Sequence, residues 1–272
     1  MRKRKKKKAA RPVTRNSLAA DFRRLGLDAG QTVLVHTSMS KMGWINGGAV
    51  AVIQALMDVL TSEGTLVMPT HTEGFSDPAT NLHQPVPEDW VEEIRDTMPL
   101  YDPRLTPSDS MGRVAELFRT WPDVLRSGHP QYSFAAWGKE ARYVTEGHEL
   151  SFSLGETSPL ARVYDLRGYV LLAGVGHSNN SSIHLAEYRV PNPPMKQSGV
   201  PWLVNGERVW VTFPDVDLLD MYTGRAGQAF EDENNVTVGQ VAAATCRLMS
   251  QKCLVDFAVG WFNAFWKNPS AA

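Results

Sequence analysis

Two strand-length apolar runs, "TVLVH" at 32–36 and "GTLVMPT" at 64–70, flank "AVAVIQALMDVL" at 49–60, a helix-length segment that is apolar on nearly every face. Runs without polar alternation read as buried strands, and the helix between them supplies the crossover that parallel pairing requires. The three together form a βαβ unit, which directs the chain toward an α/β fold with its working loops at the carboxyl ends of the strands.

Other segments extend this frame. "TRNSLAADFRRLGLDAG" reads as an opening helix with Ser17 as N-cap and Gly30 as its stop. The stretch from 76 to 110 is rich in Pro, Asp and Trp and reads as extended loops, which cover a binding site or lie disordered. "MGRVAELFRTW" is an amphipathic helix, "SPLARVYDL" a shorter one, and "YVLLAG" a third strand. In "VPWLVNGERVWVTF" the Asn205-Gly206 dipeptide predicts a tight antiparallel hairpin. No repeat or linker divides the 272 residues, and 43% hydrophobic content suffices for one large core.

The net charge of −1 hides an asymmetry. Nine of the 28 basic residues (Arg2, Lys3, Arg4, Lys5, Lys6, Lys7, Lys8, Arg11 and Arg15) precede residue 16, leaving 19 against 29 acids, a body of −10. Such a body attracts cations. Residues 1–15 are expected to be a disordered, solvated basic arm, with contact to nucleic acid as the sharper alternative. No apolar segment follows the arm as a secretory signal would need, and no run approaches the roughly 20 apolar residues of a membrane span. A cytoplasmic location is therefore expected. Cys246 and Cys253 form neither a disulfide framework nor a zinc pattern, and a packing role is expected for both.

Three strand ends deliver polar residues that an open α/β sheet would gather into one crevice: His36, Thr70 with His71, and the stretch from Gly174 to Glu187. Ser38, Ser40, Gly43, Gly47 and Gly48 offer hydroxyls and unencumbered N–H groups at a helix start, suited to phosphate or a thioester carbonyl. Neither a Walker loop nor a dinucleotide fingerprint is present. In "LLAGVGHSNNSSIHLAEYR", His184 and Glu187 are three apart and share a helical face that Asn180 or Ser181 could cap. A carboxylate-held histidine can accept a proton near neutral pH. His177, His184 and Glu187 could instead ligate a metal, but no matching second half is visible and no metal is expected. The serine-hydrolase elbow G-x-S-x-G is absent.

"VLVHTSMSKMGWINGGAVAVIQALMDVLTSEGTLVMPTHTEGFSDP", with "VYDLRGYVLLAGVGHSNNSSIHLAEYR", resembles the aminoglycoside 3-N-acetyltransferases and their antibiotic N-acetyltransferase relatives. The resemblance implies one αβα layered domain over 16–268 with a central mixed sheet, distinct from the GNAT fold. It implies acetyl-CoA as cosubstrate and direct transfer to the 3-amino group of an aminoglycoside antibiotic, conferring resistance. His184 would be the general base, Glu187 its orienting partner, and Thr70 would face the thioester. His36, Thr37, Ser38, Ser40, Gly43, Trp44, Gly47 and Gly48 would bind the coenzyme. Glu73, Asp77, Asp102 and Glu231 are the expected acceptor contacts, with Glu92, Glu93, Asp232 and Glu233 as further acids available to a polycation. His177 departs from the family pattern, and residues 190–235, only loosely similar, would help decide which amine is accepted. Neither membrane nor nucleic acid is expected as a partner, and a homodimer is compatible with the family. Two alternatives stand beside this reading: the same fold acting on another small amine, and a nucleic-acid-binding protein whose salt-dependent association disappears when residues 1–12 are deleted.

Overall fold

The computed structural model describes residues 12–80 and 85–267, the side chains of Glu73 and Lys267 excepted. Seven strands form one sheet in the order β3 (Leu125–Arg126), β4 (Phe134–Gly138), β2 (Thr65–Pro69), β1 (Thr32–Thr37), β5 (Tyr169–Ala173), β9 (Ala244–Ser250) and β8 (Thr237–Val241). The three central strands, β2, β1 and β5, run parallel, with Leu34 opposite Val67 on one side and Val170 on the other. The flanking pairs are antiparallel, so the sheet is mixed. β1 and β2 are the two strands that bound the βαβ unit, and the helix Gly48–Leu60 joins them.

Successive side chains of a strand point to opposite faces, and here both faces are dry. Val33, Val35, Leu66, Met68, Leu171 and Ala173 pack with the helices Arg15–Leu25, Gly48–Leu60 and Gly112–Phe118. Leu34, Val67, Val170 and Leu172 pack on the other side with Pro159–Asp165, Ser182–Arg189, Asp220–Glu233 and the closing helix Gln251–Lys267. The result is an αβα sandwich. No helix among the described residues is long and apolar enough to cross a membrane.

The hairpin forms from β6 (Met195–Val204) and β7 (Glu207–Val216) as a separate two-stranded sheet. Asn205 and Gly206 have φ of 53° and 85°, the left-handed pair that a tight hairpin turn needs. The 76–110 region is not wholly loop, for it holds a 3-10 turn, Glu88–Trp90, and a short helix, Val91–Thr97.

The N-terminal boundaries shift. Residues 1–11 lie outside the described residues, but Val13 bridges to Ile45, Thr14 caps the first helix and Arg15 pairs with Asp58, so the folded body begins before residue 16. Thr14, not Ser17, is the N-cap; Ser17 returns the bond from the third helical position and completes a capping box. Gly26 ends the helix at φ 110°, one turn before Gly30.

Candidate active site

The helix Ser182–Arg189 follows β5 after a 3-10 turn, His177–Asn179. Its N-cap position, Ser181, makes no side-chain cap bond; the Asn180 amide oxygen accepts from Ser182 N–H at 3.3 Å instead. One helical turn brings His184 Nδ1 to 2.7 Å from Glu187 Oε2. Glu187 is fully buried, and its other oxygen accepts the Leu219 N–H at 2.7 Å. Both carboxylate oxygens are therefore committed, and the imidazole is held at a fixed angle. His184 Nε2 looks into a cleft of about 640 Å³, with Asp220 Oδ1 at 3.3 Å. Burial pulls the His184 pKa down, but the hydrogen bond and charge of Glu187, with Asp220 behind them, prevail and hold it above the ordinary imidazole value.

The cleft opens at the carboxyl ends of the parallel strands, where His36, Thr37, Pro69, His71 and Val175 form its floor. His36 and His71 are buried, and burial first, then the charge of His184, lowers each pKa to about 3. Both are neutral at physiological pH, and their buried Nε2 atoms have no partner among the described residues. Lys196, Gln197, Ser198, Asp217, Leu218 and Asp220 supply one wall, so residues from the 190–235 region do face the cleft. The root of the hairpin is fixed by Asp215, which accepts from Ser153 Oγ at 2.5 Å, Tyr188 Oη at 2.6 Å and two backbone N–H groups. This ties the Lys196 and Asp217 wall to the helix that carries His184.

Thr70 does not occupy the expected place. Pro69 and His71 line the cleft, and the alternation of an extended chain turns the residue between them away. Its hydroxyl lies 3.1 Å from both Ser133 Oγ and Arg126 Nε in a buried network, and its exposure is 0%. Of the expected coenzyme residues, only His36 and Thr37 line the cleft. The Ser38 N–H is taken by Ala173 O and its hydroxyl lies 3.0 Å from that of Ser40. Gly43 and Gly47 turn the chain at φ 81° and 85°, with Trp44 exposed between them and Gly48 opening the next helix.

The expected acidic contacts fare differently. Asp102 turns to its own backbone, accepting from Arg104 N–H at 2.7 Å, and does not line the cleft. Glu231 is engaged by Arg247 Nε at 2.6 Å and His177 Nε2 at 3.1 Å, away from the cleft. Glu73 begins a 3-10 turn, and its side chain lies outside the described residues. Asp77 does line the cleft, but Arg95 holds it. Asp217 and Asp220, which sequence reasoning missed, are the cleft carboxylates with exposed side chains. The acid-rich "PDVDLLD", which spans the end of the hairpin and the turn after it, was the available signal.

His177 is buried under the helix Asp220–Glu233, where a Cβ on Gly227 would lie 2.3 Å from its ring. It pairs with Glu231 while His184 pairs with Glu187, so the three residues of the metal reading do not converge. Cys246 is packed in β9, where burial raises its thiol pKa to about 11; Cys253 is exposed, contrary to the packing role expected of it.

An open α/β sheet here sets a carboxylate-steered imidazole at the carboxyl ends of its parallel strands, where sheets of this kind bind their ligands. The family model described as aminoglycoside 3-N-acetyltransferase matches residues 34–263, and the chain belongs to that family of acyltransferases. It is 48% identical over 252 residues to the SPbeta prophage-derived aminoglycoside N(3')-acetyltransferase-like protein YokD of Bacillus subtilis (strain 168), covering 92% of this chain and 93% of the relative. The crystal structure of YokD superposes with a TM-score of 0.93 at 46% identity, over 96% of this chain and 97% of that one. Aminoglycoside N(3)-acetyltransferase VII of Streptomyces paromomycinus is 37% identical over 94% of both chains. A structure described as AAC-IIIb binary with CoASH aligns at TM-score 0.82 and 29% identity, over 93% of this chain and 97% of that one.

Proposed function

We propose that this chain transfers the acetyl group of acetyl-CoA to the 3-amino group of an aminoglycoside, in the cytoplasm and with antibiotic resistance as the outcome. The observation that carries the reading is the His184–Glu187 pair, 2.7 Å apart with Nε2 turned to the cleft. The name of the Streptomyces relative and the CoASH of the AAC-IIIb structure support the acceptor and the donor.

An amine arrives as an ammonium and cannot attack a thioester until it has lost a proton. His184 Nε2 accepts that proton, while Glu187, fixed by the Leu219 N–H, keeps Nδ1–H oriented and stabilises the imidazolium. As the new N–C bond forms, the C–S bond breaks and the sulfur leaves as thiolate. The imidazolium proton then neutralises that sulfur and returns His184 to its starting form, while the second proton on the new amide nitrogen passes to solvent water. His36 and Thr37 floor the donor side, and Ser38, Ser40, Gly43, Trp44, Gly47 and Gly48, on the segment that continues from β1, are the proposed coenzyme contacts. Thr70 acts from behind, as part of the buried network that steadies the β2 end.

Mixing the protein with acetyl-CoA and a set of aminoglycosides should release free CoA thiol. His184→Ala should lower turnover at least about a hundredfold while coenzyme affinity stays nearly constant. Near-normal turnover in that variant removes His184 from the role.

A further inference from the structure

Besides histidines, the charged side chains that line the cleft among the described residues are Asp77, Lys196, Asp217 and Asp220. Asp77 is already satisfied. Its Oδ1 accepts Arg95 Nε at 3.1 Å, Arg95 Nη2 at 2.9 Å and Ala79 N–H at 3.0 Å, and its Oδ2 accepts Arg95 Nη2 at 2.9 Å. A bidentate guanidinium leaves the carboxylate little capacity for another cation.

Arg95 is itself well held. Its Nη1 donates to Glu92 at 2.8 Å, and the guanidinium lies 5.7 Å from the Trp210 ring on β7. Arg208, also on β7, donates to the carbonyls of Met98 and Arg95, fastening the helix Val91–Thr97 to the hairpin. An incoming ammonium would have to displace this clasp to reach Asp77. Among the described residues, what remains is Asp217 and Asp220, with the Lys196 ammonium 4.0 Å from Asp217. That is little free negative charge for a ligand with several ammonium groups, despite the acidity of the whole body.

We propose that Arg95 is a specificity-determining residue: by occupying Asp77 it withdraws a carboxylate from the acceptor side and biases the enzyme toward amino sugars with few ammonium groups over polycations. The inference rests on the acetyl-transfer reading above and refines its acceptor class.

The test compares kcat/KM for neomycin, a polycation, with that for glucosamine, a monoamine, by CoA thiol release. Arg95→Met frees the Asp77 carboxylate and should raise the neomycin-to-glucosamine ratio about tenfold, the scale of one added charge interaction near a protein surface. The double variant Asp77→Asn/Arg95→Met removes both charges and should restore the wild-type ratio. An unchanged ratio in Arg95→Met, or an equal rise in single and double variants, overturns the proposal, the latter because a loosened clasp and not the carboxylate would be responsible. Should Arg95→Met fail to fold, Asp77→Asn leaves the guanidinium without its partner in the cleft and should lower the ratio below wild type; no change there also overturns it. If the wild type releases thiol with neither amine nor any aminoglycoside, the acetyl-transfer reading itself fails, a result distinct from an unmoved ratio.

Discussion

His184 meets a carboxylate at each ring nitrogen, Glu187 at 2.7 Å and Asp220 at 3.3 Å, a pattern that only the imidazolium satisfies at both ends. Lys196 opposes it weakly from the hairpin wall. In its proposed role as base His184 must be neutral to work, so kcat/KM should rise with pH through a value above the ordinary imidazole value. Replacing Asp220 by Asn removes one of the charges that raise that value, and the rising limb should move to lower pH. A limb that stays in place in the pH profile of Asp220→Asn would show that Asp220 does not govern the proton on His184. Glu187 was legible from its three-residue spacing. Asp220 was not, because it reaches the same ring from a helix that follows the whole hairpin. Thr70 was misplaced for a related reason: the strand end was visible, but the direction of the one side chain between Pro69 and His71 was not.

The helix Asp220–Glu233 carries Asp220 at its start and closes over His177 at Gly227. A Cβ there would overlap the imidazole at 2.3 Å, and moving the ring would disturb its contact with Glu231. Gly227→Ala should therefore destabilise the protein by about 1–3 kcal/mol, the usual cost of overpacking. Unfolding in denaturant measures this, and a midpoint equal to wild type would mean that the helix shifts without cost. Among the elements, β1, β2 and β5 were readable because strands buried on both faces are continuous apolar runs. β8 and β9 escaped notice. β8, "TVGQV", is an exposed edge strand with little apolar signal, and β9 mixes Thr245 and Arg247 with its buried residues. The hairpin turn was plain because Asn-Gly is nearly specific to it.

Among the described residues, five buried or half-buried histidines are disfavoured as cations by desolvation: His36 and His71 at about 3, His148 at about 4, His129 well below the ordinary value, and His177 lowered. Unfolding exposes them, and between the ordinary imidazole pKa and these lowered values the unfolded chain binds more protons than the folded one. Stability must then fall as pH falls through that window, by up to about 1.4 kcal/mol per pH unit for each histidine. His184 acts in the opposite sense, since its raised pKa contributes stability at low pH that is lost as pH rises through that value. With five histidines against one, the melting temperature should drop steadily from pH 7 to pH 4. Calorimetry showing a level melting temperature over that range would refute the balance. The buried histidines could not be recognised from sequence, because His129 and His148 meet only through folding, with ring centroids 4.8 Å apart.

β6 and β7 share no ladder with the seven-stranded sheet. The parallel strands that seat His36 and Thr37 can therefore remain unchanged while the hairpin drifts in length or side chains. Divergence among descendants of such a scaffold can retune which amines are modified without rebuilding the machinery that handles the acyl donor.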